Sequence, residues 1–299
     1  MGWRTVVVEN SHRVSLYLSN LKIESSEGTY LVPLDDIDVL IFNNYKMSIT
    51  TQLLCKLSAY NICTIVCEKN GMPGVITNSL TGHCMAYKHQ KLQLNQIDFM
   101  KSKLWMQLIH QKILNQVFVL DKYTRPMHTI EILMELADNV CEDDSTNREG
   151  LAAKSYFRGL FGEGFIREHE SDDPVNIALN YGYSIIRAMM ARTLIGKGLL
   201  LSIGLKHKNM YNHFNLVDDC MEVYRPIIDL WVYDSLCKSQ DFFTREKKLE
   251  LLQFISEAIC YHSNKKYPIS LSMNQLVDSF IRCLDGKQEE LDLPVLMSE

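Results

Sequence analysis

The stretch "NSLTGHCMAYKHQK", residues 78–91, divides the chain into two parts with different hydrophobic patterns. Apolar residues lose their regular spacing here and polar residues replace them, which is typical of a connection between domains. Short β-type runs come before this stretch, and helical patterns come after it. With 299 residues, 46% of them hydrophobic, the chain is long enough for two modest domains that each bury a core.

The residues before this stretch predict a small, mainly β domain. Seven short runs have the composition of strands and are separated by turn residues: "TVVV" (5–8), "RVSLYL" (13–18), "LKIES" (21–25), "TYLVPL" (29–34), "DIDVLIFNN" (36–44), "ICTIVCEK" (62–69) and "GVITN" (74–78). Between the fifth and sixth runs, residues 48–61 repeat leucines at helical spacing, with Ser48 or Thr50 as the candidate N-cap. We therefore expect a β-rich domain with one helix over residues 1–80.

The residues after this stretch predict helices. "IDFMKSKLWMQLIHQKILNQV", residues 97–117, repeats apolar residues at close to a helical period. "PVNIALNYGYSIIRAMMARTLIGKGL", residues 174–199, does the same behind an initial proline. Further helices fit the patterns at 126–140, 148–161, 219–237, 245–260 and 271–284. Residues 167–174 and 263–268 are predicted to be exposed loops.

These patterns indicate an α+β fold, in which a small N-terminal β domain precedes a larger all-α domain. We place the linker at residues 81–95 and the helical domain at 96–299, with an acidic C-terminal tail. From Asp285 the tail carries five acidic residues against Lys287, so it contributes −4 of the formal net charge of −5. Residues 84–112 hold five lysines against one aspartate, which fits either a solvated helix face or a surface that contacts DNA.

Cysteine usage and hydropathy set limits on the class of protein. The nine cysteines are odd in number and irregularly spaced, which disfavours a disulfide framework. No second ligand pair lies near Cys63 and Cys67, so no structural zinc site is expected. The N-terminus lacks an apolar segment behind a basic leader, and no run of about 20 apolar residues is present. We therefore expect a cytoplasmic protein with reduced thiols and no membrane span.

The segment "GLKHKNMYNHFNLVDDCMEVYRP", residues 204–226, concentrates histidines, carboxylates and asparagines. His207 and Glu222 are 15 residues apart, or about 22 Å in one unbroken helix, so they can share a site only if the chain turns between them. The asparagines favour such a turn. Asn215 or Asp218 is then the candidate N-cap of the helix that follows.

The carboxylates of this segment allow two interpretations. Asp218, Asp219 and Glu222 are three or four residues apart, which places them on one face of the first helical turns. Together with a histidine nitrogen, they suit a Mg²⁺ or Mn²⁺ ion that engages a phosphodiester. Alternatively, the aspartates cap the helix, Glu222 is a solvated acid and His207 is a loop residue.

Two further segments carry candidate residues. In "STNREGLAAKSYF", residues 145–157, Thr146 followed by Glu149 is a capping-box pattern that opens a helix, and Arg148 is a candidate phosphate contact. "NYGYSIIRAMMAR", residues 180–192, places tyrosines and arginines on a helix, a mixture that can stack on bases or bind phosphates. Either segment also has a purely structural explanation, as a cap or as core packing.

Together, "GWRTVVV", "TNREGLAAKSYF", "NYGYSIIRAMMAR" and "GLKHKNMYNHFNLVDDCMEVYRP" resemble the CRISPR adaptation integrases of the Cas1 family, in their type II branch. The likeness runs from the N-terminus to about Asp234, in the family's order. It implies an N-terminal β domain joined to an α-helical catalytic domain. It also implies that Glu149, His207 and Glu222 are the catalytic metal ligands, with Asp219 as an accessory acid.

The resemblance implies a reaction and partners as well. The protein is expected to use Mg²⁺ or Mn²⁺ and to insert new spacers by phosphoryl transfer, in which the 3′-hydroxyl of a short DNA fragment attacks a phosphodiester at the edge of a CRISPR repeat. The expected partners are double-stranded DNA fragments, repeat DNA and a second copy of the chain bound through the β domain. Two such homodimers would be bridged by a dimer of the small Cas2 protein.

DNA fragments of unrelated sequence must be accepted, so contacts from basic side chains to the DNA backbone should dominate binding. The candidate DNA-binding residues are Arg148, Arg187, Lys206 and Lys208. His213 has no counterpart in the family and is expected to be a loop histidine.

Two other functions would use the same residues. A stand-alone metal-dependent nuclease, for example one acting on branched DNA, would need the same ligands but no partner. A non-catalytic scaffold that bridges DNA would fold in the same way and tolerate alanine at Glu149, His207 and Glu222. The resemblance favours the integrase.

Overall fold

The computed structural model describes residues 2, 4–69, 71–77, 83–123, 127–168, 170–238 and 241–297. The chain divides into two compact units, Met1–His83 and Cys84–Glu299. Strands dominate the first unit and helices dominate the second, which confirms the predicted α+β class. No helix within the described ranges combines the length and the apolar character needed to cross a membrane.

The first unit contains two four-stranded sheets. Its strands are β1 (Arg4–Val8), β2 (Ser11–Tyr17), β3 (Asn20–Ser25), β4 (Gly28–Pro33), β5 (Ile37–Phe42), β6 (Ser48–Ile49), β7 (Cys63–Cys67) and β8 (Pro73–Thr77). One sheet has the order β1-β5-β7-β8 and the other β4-β3-β2-β6. Every residue of β5 is buried, as expected for an apolar strand paired with parallel neighbours on both sides.

Helix α1 (Thr51–Ala59) completes the core of this unit. The Thr50 side chain accepts a hydrogen bond from the backbone N–H of Leu53, so Thr50 is the N-cap. Leu53 and Leu57 are fully buried among apolar residues from both sheets. All seven predicted strands are present, and the structure adds the short strand β6.

The second unit is built mainly from helices. These are α2 (Ala86–Leu94), α3 (Asp98–Asp121), α4 (Met127–Asp138), α5 (Arg148–Phe161), α6 (Pro174–Gly196), α7 (Asn215–Met221), α8 (Arg225–Val232), α9 (Arg245–Glu257) and α10 (Ile269–Leu284). Helix α3 packs against α4, α5 and α8, so it runs through the middle of the unit. Helices α6 and α8 approach closely because residue 182 is glycine: a Cβ there would lie 2.4 Å from Ile228 Cγ2.

Helix α2 lies in the segment predicted as the 81–95 linker. The Gln93 amide donates to the carbonyl oxygens of Leu200 and Ile203 and accepts from the N–H of Leu200. His89 Nδ1 lies 2.6 Å from the Lys197 carbonyl oxygen. Two polar residues of the predicted linker, His89 and Gln93, are therefore buried partners of a loop in the second unit, and helix α2 belongs to that unit.

Two predicted elements of the second unit are wrong in detail. The single helix predicted over 219–237 is interrupted by a short 3₁₀ turn, Glu222–Tyr224, before α8 begins with Arg225 and Pro226. Proline has no N–H to continue the preceding helical ladder, and it is favoured in the first turn of a helix. The unit is also not purely helical, because the predicted loop at 263–268 belongs to a hairpin.

That hairpin pairs β9 (Ile259–His262) with β10 (Lys265–Pro268). Ser263 and Asn264 form its two-residue turn with φ values of 48° and 64°, as a turn of this hand requires. The acidic tail is also part of the fold: Asp285 pairs with Lys88, Glu289 with Lys103, and Tyr261 forms a β-bridge with Val295.

Candidate functional site

Two carboxylates from different elements meet at one lysine. Glu149 lies in the first turn of α5, and Glu222 opens the 3₁₀ turn after α7. Lys112, from the middle of α3, places its Nζ 2.6 Å from Glu149 Oε1 and 2.5 Å from Glu222 Oε2. Arg225 Nε donates to the other oxygen of Glu222 at 2.8 Å. We call Lys112, Glu149, Glu222 and Arg225 the carboxylate cluster.

The carboxylate cluster is mostly buried, and its ion pairs favour the charged forms of Glu222 and Lys112. The Glu222 side chain is 6% exposed and that of Lys112 is 9% exposed. Burial opposes ionisation of Glu222, but Arg225 and Lys112 outweigh it and lower the pKa of this carboxyl to about 2. Burial also opposes the charge on Lys112, yet Glu222 and Glu149 raise the pKa of its ammonium above the ordinary value.

His207 is held by Asp219. The ring Nδ1 lies 2.7 Å from Asp219 Oδ1. The same fully buried carboxylate accepts the backbone N–H groups of Leu205, Lys206 and His207, so it fixes the loop as well as the ring. The hydrogen bond with Asp219 raises the pKa of His207. Because Nδ1 is engaged, Nε2 is the ring nitrogen left for a ligand.

The surroundings of this pair depend on a glycine and a tryptophan. A Cβ at Gly204 would lie 2.6 Å from Asp219 Oδ2 and 2.5 Å from the His207 carbonyl oxygen, so only glycine lets the loop wrap around the carboxylate. Trp105 from α3 meets the His207 ring edge-on, with centroids 5.8 Å apart. These contacts limit the orientation of the ring, although 43% of the His207 side chain is exposed.

The predicted turn between His207 and Glu222 is confirmed, because helix α7 begins only at Asn215. The predicted caps are wrong: Phe214 is the N-cap, and no side chain caps α7. Asp218 instead pairs with Arg187, and the Asn215 amide donates to carbonyl oxygens of the preceding loop. Tertiary contacts thus use the side chains that a local capping pattern suggested.

The predicted capping box at α5 is also wrong. Asp144 accepts the N–H groups of Arg148 at 2.7 Å and Glu149 at 3.0 Å, and Asn147 is the N-cap without a side-chain bond. Thr146 receives the Arg148 side chain instead. Since Asp144 supplies the cap, the Glu149 carboxylate is free to face Lys112.

The candidate DNA-binding residues differ in how far their charges are matched. Arg187 makes a bidentate pair with Asp218. Lys206 Nζ lies 3.0 Å from an Asp143 carboxylate oxygen. Lys208 is exposed and has no salt bridge to any described residue.

A cavity of about 190 Å³ adjoins the carboxylate cluster. Besides the cluster it is lined by Gln116, Ala153, Phe157, Arg167, Tyr183 and Asp229. Asp229 accepts the hydroxyls of Tyr156 and Tyr183, and burial raises its pKa to about 6 against these bonds. The Arg225 guanidinium stacks over Tyr183, 4.6 Å from the ring centroid.

Lys112 and Arg225 belong to the site although neither is among the predicted site residues. Lys112 is one of the five lysines of residues 84–112, whose spacing predicts only a solvated face or a DNA contact. One signal was present: Lys112 comes four residues after Leu108, so it falls on the apolar stripe of α3, where a charge needs a buried partner. Arg225 follows Glu222 by three residues, a spacing that permits an ion pair on one helical face.

Glu149, His207 and Glu222 are of the residue types that bind divalent cations, but in the described structure they are not yet gathered around one metal position. Within the described ranges, no three His, Cys, Asp or Glu side chains already lie close enough together to hold a metal ion. Lys112 Nζ takes the place of a cation between Glu149 and Glu222. Carboxylate oxygens with one imidazole nitrogen suit Mg²⁺ or Mn²⁺.

The sequence and the fold match known proteins. A family model described as CRISPR associated protein Cas1 matches residues 5–253. A CRISPR-associated endonuclease Cas1 from Neisseria meningitidis serogroup C (strain 8013) is 38% identical over 232 residues, which cover 78% of this chain and 75% of the relative.

Two solved structures share the fold. A casposase bound to its integration product has a TM-score of 0.76 at 17% identity, over 97% of this chain and 92% of that one. A Cas6-RT-Cas1–Cas2 complex has a TM-score of 0.76 at 16% identity, over 99% of this chain and 36% of that one. The family model extends across the β unit and the carboxylate cluster, the Neisseria relative is 38% identical over more than two thirds of both chains, and this chain therefore belongs to the Cas1 family of CRISPR-associated proteins.

Proposed function

We propose that this protein is a metal-dependent DNA integrase and endonuclease of CRISPR adaptation, which joins the 3′-hydroxyl ends of short DNA fragments to the CRISPR repeat. One observation carries the proposal. Glu149 and Glu222, which are 73 residues apart in the chain, both contact the ammonium group of Lys112. His207 lies on the loop that Asp219 of α7 holds in place. These are the residues that the resemblance to the family singles out.

Glu149, His207 and Glu222 would hold Mg²⁺ or Mn²⁺. When bound, such an ion favours the ionised form of an attacking hydroxyl and stabilises charge on the phosphodiester oxygens. Arg225 keeps Glu222 ionised, and Asp219 fixes the ring nitrogen that His207 presents.

The reaction exchanges one phosphodiester for another. The fragment's 3′-oxygen forms a bond to the phosphorus at the 5′ edge of the repeat and loses its proton, while the bond from that phosphorus to the 3′-oxygen of the preceding nucleotide breaks and this oxygen gains a proton. No protein nucleophile is needed, so the contribution of the chain is positioning and electrostatics. The same residues would cleave DNA if water replaced the 3′-hydroxyl.

Partners follow from the family and from exposed side chains. The Cas6-RT-Cas1–Cas2 neighbour supports assembly with Cas2, and the casposase neighbour supports DNA as the substrate. A homodimer through the first unit is supported by apolar side chains exposed on its second sheet, of which Tyr17, Tyr30 and Leu31 are each about half exposed. Lys208, without an ion pair in the described chain, is the strongest candidate for contact with the DNA backbone.

One assay tests the proposal. The protein is incubated with Mg²⁺ or Mn²⁺, a short duplex with free 3′-hydroxyls and a plasmid that contains the repeat, with and without Cas2. We expect joined products from the wild type and none from His207→Ala. His213→Ala is the matched control because His213 is an exposed histidine of the same loop, and it should join DNA normally.

Other outcomes would replace the proposal. Cleavage without joining, again lost in His207→Ala, would indicate a stand-alone nuclease. DNA binding without any reaction, insensitive to the same substitution, would indicate a scaffold.

A further inference from the structure

We infer that Lys112 is a built-in counter-ion that holds the metal-free site together and must leave the two carboxylates when a divalent cation binds. This inference rests on the proposed function, because it concerns the same metal ligands. It adds a residue that competes with the metal, and so makes metal binding an exchange of cations within the protein.

The ammonium of Lys112 lies where a metal ion would bind. Lys112 Nζ touches one oxygen of Glu149 and one of Glu222, both within 2.6 Å, so it occupies the space between the two carboxylates. A divalent ion that uses both carboxylates needs that same space. Two cations this close would also repel each other strongly, because the buried site screens charge poorly.

The two carboxylates need such a counter-ion when no metal is bound. Glu222 is 5% exposed, and without a nearby cation its carboxylate would face that of Glu149 in a poorly solvated site. Arg225 balances one charge through the other oxygen of Glu222. Lys112 balances the second charge, so the metal-free protein keeps both ligands in position.

A hydrogen-bond acceptor for the displaced ammonium lies nearby. Gln116 is one turn after Lys112 on α3 and lines the 190 Å³ cavity beside the cluster. It is 2% exposed, and its Oε1 has no hydrogen-bond partner among the described residues. Side chains four residues apart lie on one face of a helix. Lys112 can therefore move from the carboxylates to Gln116 while remaining in the site.

The test is to titrate the protein with Mn²⁺ in the absence of DNA, at mildly alkaline pH. Electron paramagnetic resonance measures the concentration of free Mn²⁺ at each step. Lys112→Met keeps an unbranched side chain that is one atom shorter and removes its charge. We expect its dissociation constant for Mn²⁺ to be lower than that of the wild type by roughly tenfold or more, since the metal no longer competes with the ammonium. Lys103→Met, on the same helix but paired with exposed Glu289, should bind as the wild type does.

Further variants make the outcome decisive. Lys112→Gln keeps a polar group near the carboxylates and should also bind more tightly than the wild type; it replaces Lys112→Met if circular dichroism shows that Lys112→Met is unfolded. Equal or weaker binding in the folded Lys112 variant would overturn the inference.

Glu149→Gln separates this inference from the proposed function. If Glu149→Gln abolishes Mn²⁺ binding while the Lys112 variants bind like the wild type, the metal site is supported and the proposed role of Lys112 is wrong. If only the Lys112 variants bind Mn²⁺, the competition is supported in its strongest form. If neither the wild type nor any variant binds Mn²⁺, both the metal site and the inference fail.

Discussion

Two networks of acids and bases in the described part of the helical unit differ in their surroundings, because one lines a cavity and the other is built around a buried serine. The carboxylate cluster around Lys112 lines the 190 Å³ cavity. The second network joins Asp292 Oδ1 to His262 Nδ1 at 3.0 Å, and His262 Nε2 to Ser272 Oγ at 2.7 Å. This second network has the order of an acid, a histidine and a serine that hydrolases use for nucleophilic attack.

The difference between the networks separates the candidate reactive site from a structural network. Ser272 is fully buried, and its hydroxyl also meets the hydroxyl of Tyr224 at 3.0 Å, so no substrate can reach it. Burial lowers the pKa of His262 despite its bond to Asp292. Residue types and distances alone therefore do not identify an active site, because a substrate must also be able to enter it.

The largest expected effect is on the reaction. Glu149→Gln keeps the shape of a candidate metal ligand and removes its charge, so joining of 3′-ends should fall by several orders of magnitude. Ser272→Ala should leave the rate of joining unchanged, because the second network does not meet the substrate. Both rates can be measured with the fragment and repeat plasmid assay. A comparable loss in both variants would break the distinction between the networks.

The next effect is a pH dependence of stability near the cavity. Burial raises the pKa of Asp229 from 3.8 to about 6, so between these values the folded protein binds more protons than the unfolded one. Stability from this group is therefore greatest below the unfolded pKa and is lost as pH rises through the folded pKa, by about 3 kcal/mol. Asp229→Asn carries no titrating group.

Urea unfolding of the wild type and Asp229→Asn, measured from about pH 4 to about pH 7, checks this. The difference between the two free energies of unfolding should shift in favour of the variant as pH rises. Parallel curves would show that the carboxyl titrates normally.

A smaller effect is expected from the second network on stability. Ser272→Ala removes the partner of both His262 Nε2 and the Tyr224 hydroxyl, and buried polar groups left unpaired cost about 1–3 kcal/mol. Chemical denaturation measures this loss. Ser270→Ala, two residues earlier on the same helix and only partly buried, is the control and should change little. An unchanged free energy of unfolding for Ser272→Ala would mean that the second network, which includes Asp292 of the C-terminal tail, does not stabilise the fold.

The smallest effect is on DNA affinity. Lys208, one residue after His207, should contribute a single phosphate contact, so Lys208→Ala should weaken DNA binding several-fold and reduce the salt slope by about 1. Lys265 is exposed and pairs across the hairpin with His262 of the second network. Lys265→Ala should leave both quantities unchanged, as fluorescence anisotropy at several salt concentrations would show. Equal losses from the two lysines would indicate non-specific attraction.

Local hydrophobic patterns in the sequence predict most of the strands and helices. The strands of the first unit and helix α5, predicted and found at residues 148–161, follow from hydrophobic spacing that neighbouring residues determine. The β9–β10 hairpin was missed because strands of four residues give little periodicity. Helix α2 was missed because its polar side chains are satisfied by residues more than 100 positions away.

The site shows the same limit. The resemblance singled out Glu149, His207 and Glu222, whereas the spacing of residues showed only that a turn was needed. Lys112 lies 37 residues from Glu149 and 110 from Glu222, so no local pattern could join the three. The two cap predictions were wrong for a related reason, since other contacts compete for the same groups. Asp144 accepts the first N–H groups of α5 in place of Thr146, and Asp218 pairs with Arg187 of α6 instead of capping α7.

The most direct test of the proposed metal centre is anomalous diffraction from crystals of the protein grown with Mn²⁺ and a short DNA duplex. The account predicts a manganese peak bound by the carboxylates of Glu149 and Glu222 and by His207 Nε2, with Lys112 Nζ moved away from the carboxylates. A manganese peak that avoids these residues, or a cluster in which Lys112 still bridges Glu149 and Glu222 at saturating Mn²⁺, would contradict it.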